Sequence, residues 1–359
     1  MKAYLILEDG HIFTGTSIGS RKEIISEIVF NTSMTGYMEV LTDPSYAGQA
    51  VCMTYPLIGN VGVNDLDFES GCVQVSGLVV SELCELPSNW QMKKTLDEFL
   101  DEQGVTGICG VDTRALTRHI LDNGVMRGRI VAGEATEEDI AACRAFSLHG
   151  EAIEASCRER HDVSTAGDVK VAVLDLGMKR SLTNWIIRRG AQVTVFPALT
   201  GAQEILLSGC DGVLISAGPG NPEDYPQIVE TVKALMAAKP VMGVGLGHLL
   251  MALASGCRVE RMRFGHHGGN QPVKDLAAGT CAVTSQSHLY AVSGDALPEG
   301  VRVSHINWND RSIEGLVYEG RDAFSVQFIP SGLGGPFDTT ALFDDFLKTV
   351  RANREKAGV

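Results

Sequence analysis

No window of the 359-residue sequence approaches the roughly 18 consecutive apolar residues of a membrane-spanning helix, so a membrane-embedded role is not expected. Positive charge is also scarce. Thirty Lys and Arg against 44 Asp and Glu leave a formal net charge of -14, which repels phosphate backbones and anionic lipid surfaces. Neither nucleic acid nor membrane is expected as a partner. There is no CxxC pair, and the nine cysteines (Cys52, Cys72, Cys84, Cys109, Cys143, Cys157, Cys210, Cys257 and Cys281) are odd in number and irregularly spaced. This argues for free thiols in a reducing compartment rather than a disulfide framework. The opening MKAYLILEDGHIF alternates apolar residues, without the charged start, long apolar run and small-residue cleavage site of a secretory signal. A cytoplasmic location is therefore expected. Internal repeats and low-complexity tracts are absent as well.

What the chain does have is length and a change of pattern. It is long enough for two domains, each with its own core. Residues 1–146 are rich in strand-like and turn-like text such as AYLILEDG, EIISEIVFNTSMTG and QAVCMTYPLIGNVG. Helical pattern is expected there only over Asn89–Glu102 and Arg114–Asp122. Residues 147–168 are mostly polar without a sustained apolar period, which reads as a linker. From 169 to 359 short apolar runs alternate with helical stretches: VKVAVLDL, RSLTNWIIRRG, AQVTVFP, DGVLISAGPG, YPQIVETVKALMAAK and PVMGVG. Such alternation predicts crossover units, a mostly parallel sheet and helices on both faces. Strand-like pieces return between Glu260 and Pro336, and a last helix is expected over Thr339–Arg354. The fold class is thus α/β, a β-rich N-terminal α/β domain followed by a doubly wound domain.

Two glycine-rich turns stand where a doubly wound sheet places its ligand site, after parallel strands. Ser216-Ala217-Gly218-Pro219-Gly220-Asn221-Pro222 follows the strand GVLIS. Its glycines let the backbone approach a ligand and aim amides at a developing oxyanion, although a tight strand-to-helix connection uses the same residues. Gly243-Val244-Gly245-Leu246-Gly247-His248 lies between the strand PVM and the apolar helix LGHLLMALASG. That is the arrangement of a nucleophile elbow, in which one side chain sits on a sharp turn beneath helix N-terminal amides.

On these residues the sequence resembles the class I glutamine amidotransferases, whose elbow reads G-x-C-x-G-H-Q. FNTSMTGYMEVLTDPSY, YPLIGNVGVND and VDTRALTR in the first half, with LDLGMKRSL, RFGHHGGNQPV and GPFDTTALFDDF in the second, are similar to one member family, the carbamoyl-phosphate synthetase small subunits. The second domain is accordingly expected to be a class I glutamine amidotransferase domain. In that family the small subunit hydrolyses glutamine and delivers ammonia, while the large subunit carries ATP and bicarbonate chemistry. The resemblance implies a large-subunit partner, and no cofactor or metal of this subunit's own.

The chain departs from the family where the chemistry is. Gly245 stands at the cysteine position, and AFSVQFIPSG puts Ile329 at the His and Ser331 at the Glu of the H-P-E motif. Hydrolysis through a thiol needs a thiolate, an imidazole to activate it and a carboxylate to orient the imidazole. These three residues supply none of them. Among the family's glutamine-contacting positions, Leu249, Ser287 and Leu289 replace Gln, Asn and Gly; in the first domain Met38 replaces a Gln in GYMEV. Ser45, Gly218, Gly220, Leu246 and Tyr290 also fall on such positions. Leu289 is expected to fill part of the volume glutamine would occupy.

Other candidates for catalysis are weak. Cys257 lies at the far end of the elbow helix, roughly 18 Å from Gly245 at about 1.5 Å per residue. Cys210 and Cys281 read as small buried hydrophobes. His248, His266 and His267 read as structural, and His288 has no thiol to activate. The expected function is that of a carbamoyl-phosphate synthetase small subunit, serving pyrimidine or arginine precursor synthesis, whose own glutaminase is lost and whose complex depends on free ammonia. A regulatory pseudoenzyme that senses glutamine or another small ligand is the alternative.

Overall fold

The computed structural model describes residues 1–133, 136–331, 335–356 and 358. The chain divides into two compact units, Met1–Leu148 with Arg263–Gly268, and His149–Met262 with Gly269–Val359.

The first unit is built on strands β1 (Lys2–Leu7), β2 (Ile12–Gly19), β3 (Ile24–Asn31), β4 (Gln49–Met53), β5 (Leu57–Ile58), β6 (Gly77–Val79), β7 (Glu82–Leu83), β8 (Thr106–Cys109) and β9 (Met126–Val131). Seven of them close a barrel in the order β1-β2-β8-β6-β4-β3-β9, while β5 and β7 form a separate two-stranded ribbon. Within the barrel β3, β4, β6 and β8 run parallel to one another. Closure leaves no long unpaired edge. Leu5, Leu7, Ile28, Phe30, Ala50, Cys52, Val79, Ile108 and Ile130 make the core, capped by Leu116 and Ile120.

Four helices decorate this barrel: α1 (Tyr37–Leu41), α2 (Leu96–Gln103), α3 (Thr113–Asn123) and α4 (Glu137–Ala145). The helix expected from Asn89 begins instead at Leu96. Thr95 fixes that start with a capping box, its hydroxyl accepting from the Glu98 amide while the Glu98 carboxylate accepts from the Thr95 amide. Asp112 caps α3 in the same sense, accepting from the Ala115 amide at 2.8 Å.

The stretch 147–168, expected as a linker, carries helix α5 (Glu151–Ala155) and strand β10 (His161–Ser164), and β10 pairs with a strand of the second unit. Its polar sequence suits that place, because β10 is mostly exposed at the border of the sheet.

The second unit continues with β11 (Val169–Asp175), α6 (Arg180–Arg188), β12 (Ala191–Pro197), α7 (Ala202–Leu207), β13 (Gly212–Ile215), α8 (Pro226–Ala238), β14 (Val241–Val244), α9 (Leu246–Ala254), β15 (Val259–Asp275), β16 (Cys281–Val292), β17 (Val301–Asn307), β18 (Ile313–Tyr318), β19 (Ala323–Val326) and α10 (Leu342–Lys356). The ten-stranded sheet has the order β10-β12-β11-β13-β14-β19-β18-β16-β15-β17. Its heart, β12-β11-β13-β14-β19, is parallel. The strands after β19 extend it antiparallel.

Doubly wound packing follows from the period of two along each strand. Ala172 and Leu174 join Val213 and Ile215 in a core under α7, α8 and α9. Val171 and Val173 join Leu214 on the opposite face, under α6 and α10, where Ile186, Phe343, Phe346 and Val350 cover them. Because both faces are covered, the central strands read as continuous apolar runs rather than as alternation.

Candidate functional site

The site in the second unit lies at the carboxyl ends of β13, β14 and β19. Gly245 joins β14 to α9 with φ 56° and ψ -115°. Only glycine takes such angles without strain; other residues pay on the order of 1–3 kcal/mol. Its amide donates to the Val326 carbonyl at 2.9 Å, and its carbonyl accepts from the His248 and Leu249 amides. The backbone of an elbow is therefore present without a side chain to display.

The neighbouring glycines are fixed by close approach. A Cβ on Gly243 would stand 2.4 Å from Met251 Sδ, and one on Gly247 2.4 Å from the Ile215 carbonyl oxygen. Sharp strand-to-helix turns of this kind leave no room beside the sheet.

The turn after β13 is held by Ser216, whose hydroxyl accepts from the Leu176 amide at 2.9 Å and donates to the Ala217 carbonyl at 2.7 Å. A Cβ on Gly218 would be 2.0 Å from the Leu176 carbonyl oxygen. Gly220 has φ 92°, and a Cβ there would be 2.6 Å from the Tyr225 hydroxyl and 2.7 Å from Glu151 Oε2. Packing alone accounts for both glycines.

Ile329 and Gly245 come together. A Cβ on Gly245 would lie 3.6 Å from Ile329 Cδ1 and 3.0 Å from Ala217 Cβ. Ile329 is 3% exposed and belongs to the core under α6 and α10, with its amide bonded to the Ser285 carbonyl at 2.8 Å. An aliphatic side chain thus occupies the surroundings of the elbow. Ser331 is buried, its carbonyl accepts from Trp185 Nε1, and its hydroxyl has no partner among the described residues.

Leu246 and Leu249, on the first turn of α9, are buried in the core under that helix, where Tyr290 packs from its rim. Ser287 and Leu289 lie on β16 two residues apart and so on one face of it. Leu289 is buried, and the Ser287 hydroxyl has no partner among the described residues. Ser45 belongs to the first unit. It sits in the one-turn helix Pro44–Tyr46, its amide donating to Asp43 Oδ1 at 2.9 Å, its hydroxyl unpartnered among the described residues. Met38 is buried in the same unit.

Three histidines singled out in the sequence are buried. His248 is fully buried with Nδ1 against Ser325 Oγ at 2.8 Å, and Ser325 in turn meets the Tyr318 hydroxyl at 2.9 Å. Burial, with a contribution from His305, pushes its pKa down to about 3, so the ring is neutral. His267 in the first unit is likewise pushed down to about 3 by burial, and its ring lies 5.7 Å from that of Tyr46. His288 is held by the Tyr290 carbonyl at 2.8 Å and Gln286 Oε1 at 3.0 Å.

The buried thiols are held in their protonated form. Burial raises Cys257 to about 11 and Cys52 to about 12, and a raised pKa removes the thiolate that attacks. Cys210 is buried as expected, its Sγ near the Ile205 carbonyl. Cys281 is exposed, contrary to expectation, because it is the first residue of β16 and precedes the covered part of that strand. Residue types alone do not reveal that Ala217 walls the elbow, a contact between turns 28 residues apart.

The comparisons with known proteins agree with this architecture. Residues 5–130 match the model of the carbamoyl-phosphate synthase small chain, CPSase domain, and residues 172–349 that of glutamine amidotransferase class-I. The chain is 44% identical over 376 residues to the carbamoyl phosphate synthase small chain of Syntrophotalea carbinolica, covering 100% of each. It is 44% identical over 362 residues to the carbamoyl phosphate synthase small chain of Listeria monocytogenes, covering 99% of this chain and 98% of the other. To the carbamoyl phosphate synthase pyrimidine-specific small chain of Halalkalibacterium halodurans it is 43% identical over 360 residues, covering 99% of each. Matched along both halves and over its whole length, the chain belongs to the carbamoyl-phosphate synthase small chain family.

Proposed function

We propose that this small chain has lost glutamine hydrolysis and serves as a non-catalytic subunit, docking on a synthetase large subunit that draws on free ammonia. The observation that carries the reading is the elbow itself. Gly245 keeps the strained backbone angles of a nucleophile position but has no side chain, and the group facing it is the aliphatic Ile329 instead of an imidazole. With Ser331 as the third member, no group can form a thiolate, accept its proton or orient an acceptor.

The losses extend to recognition. A ligand carboxylate and ammonium need charged or polar partners to offset desolvation. Leu249 and Leu289 offer only hydrocarbon at their positions, and both are buried. Leu289 is proposed to take up volume that a glutamine side chain would need. The cytoplasm is the proposed location and pyrimidine precursor synthesis the proposed setting, the latter supported by the name of the pyrimidine-specific relative.

The test is reconstitution with a large subunit, comparing carbamoyl-phosphate formation from glutamine and from ammonium. Turnover with ammonium alone is expected. Comparable turnover from glutamine would overturn the reading.

A further inference from the structure

The barrel of the first unit holds a cleft that none of the triad or glutamine positions enters. Its volume is about 390 Å³, and it is lined by Thr54, Pro56, Ser81, Asp112, Thr113, Arg114, Thr117 and Arg118. That volume falls within the roughly 300–1,000 Å³ of small-molecule sites. Its placement follows from topology. β4, β6 and β8 are adjacent parallel strands, and the cleft residues lie just past their carboxyl ends, Thr54 after β4, Ser81 after β6 and Asp112 after β8. The carboxyl edge of parallel strands is where open α/β sheets bind ligands, and three such strands here deliver side chains to one cavity.

Positive charge in the cleft exceeds negative, two guanidinium groups against the one carboxylate of Asp112. Arg114 and Arg118 project from α3 one turn apart, so like charges face each other at about 5–6 Å between Cβ atoms. Among the described residues neither guanidinium has a hydrogen bond or an ion pair, in a chain whose net charge is -14. Asp112 also lines the cleft, but its Oδ1 accepts from the Ala115 amide at 2.8 Å. The Thr54 and Thr117 hydroxyls donate to the Asn31 and Thr113 carbonyls. The Ser81 hydroxyl has no partner within the protein among the described residues.

We propose that this cleft binds a small molecule through its phosphoryl group, with Arg114, Arg118 and Ser81 as donors. A planar carboxylate is satisfied by one guanidinium fork. A second fork and a free hydroxyl call for the third oxygen and second charge of a phosphate monoester. The assignment is independent of the proposed loss of glutaminase, since it shares no residue with that site.

Calorimetry on the full chain at fixed ionic strength, with inorganic phosphate, methyl phosphate and malonate as probes, tests it. The two phosphates are expected to bind saturably and at least tenfold more tightly than malonate. Arg114→Gln and Arg118→Gln should each weaken phosphate at least tenfold with an unchanged melting temperature. Asp112→Asn, which keeps a helix-capping side chain, should tighten it. Malonate binding as tightly as phosphate, variants that bind phosphate normally, or the absence of saturable phosphate binding would each overturn the proposal. Loss of large-subunit association in the arginine variants, without phosphate binding to the parent chain, would assign the pair to acidic side chains of a partner instead.

Discussion

Ile329 stands against Gly245, its Cδ1 3.6 Å from the point where a β-carbon on that glycine would sit. A catalytic cysteine and its histidine would need this same juxtaposition, and here it joins hydrocarbon to bare backbone. The backbone of an elbow stands here with no thiol or imidazole at these two positions.

Restoring the thiol alone is expected to harm the protein. Gly245→Cys forces a side chain into φ 56° and sets its Cβ 3.0 Å from Ala217 Cβ, so it should cost about 1–3 kcal/mol. Denaturant unfolding would read this as a lower midpoint at constant slope. No glutamine turnover should appear, because no imidazole lies beside the new thiol. A gain in stability together with turnover would refute the account.

Gly218→Ala should be far more damaging than a thiol at the elbow. The new methyl would meet the Leu176 carbonyl oxygen at 2.0 Å, and backbone on both sides cannot yield cheaply. A loss of several kcal/mol, or failure to fold, is expected. Gly133→Ala, where a Cβ meets nothing within 4 Å, is the control and should be near neutral by thermal melting.

Thiol labelling followed by mass spectrometry should single out Cys72 and Cys281, the two exposed cysteines. Cys143, Cys157 and Cys257 should lag at pH 8, since burial raises them to about 11, about 12 and about 11. A glutamine-analogue electrophile should label none of the nine selectively. One cysteine modified stoichiometrically and blocked by glutamine would reveal a substitute nucleophile.

His248 and His267 make stability depend on pH in a definite direction. Both are pushed down to about 3 from an ordinary 6.5 by burial, so between those values the unfolded chain binds more protons than the folded one. Stability is therefore full above pH 6.5 and falls as pH drops toward 3, by at most about 1.4 kcal/mol per pH unit for each ring. Denaturant titrations between pH 6.5 and 5 should show the loss. His267→Phe should remove part of the slope, which His248 and the likewise lowered His305 share, and an unchanged slope would show that its ring is not a proton sink on unfolding.

Isothermal calorimetry with millimolar glutamine on the isolated chain separates a silent subunit from a sensor. No saturable heat is expected. Micromolar binding would favour the regulatory alternative, in which the pocket reports occupancy without hydrolysis.

Fold class was legible because patterns of period two and of strand-helix alternation are local. The parallel heart of the second sheet follows from runs such as VKVAVLDL and GVLIS, whose neighbours pack on both faces. The stretch 147–168 has the polar text of a linker although it carries β10, because that strand lies exposed at the border of the sheet. At the site, the absent thiol and imidazole could be read from residue types alone. What walls the elbow could not, since Ala217 reaches Gly245 only after two turns fold together. The arginine cleft was hidden for the same reason. VDTRALTR displays the two arginines one turn apart, but Thr54 and Ser81 arrive from strands distant in sequence.

The backbone angles at Gly245 also bear on how such a site can change by substitution. A glycine relaxes a turn that every other residue strains, so exchanging any other residue for glycine here adds folding free energy. With Ile329 beside it, a single exchange at either position would supply one catalytic group without its partner. Such a site behaves as a ratchet, easy to enter by single substitutions and hard to leave except by several at once.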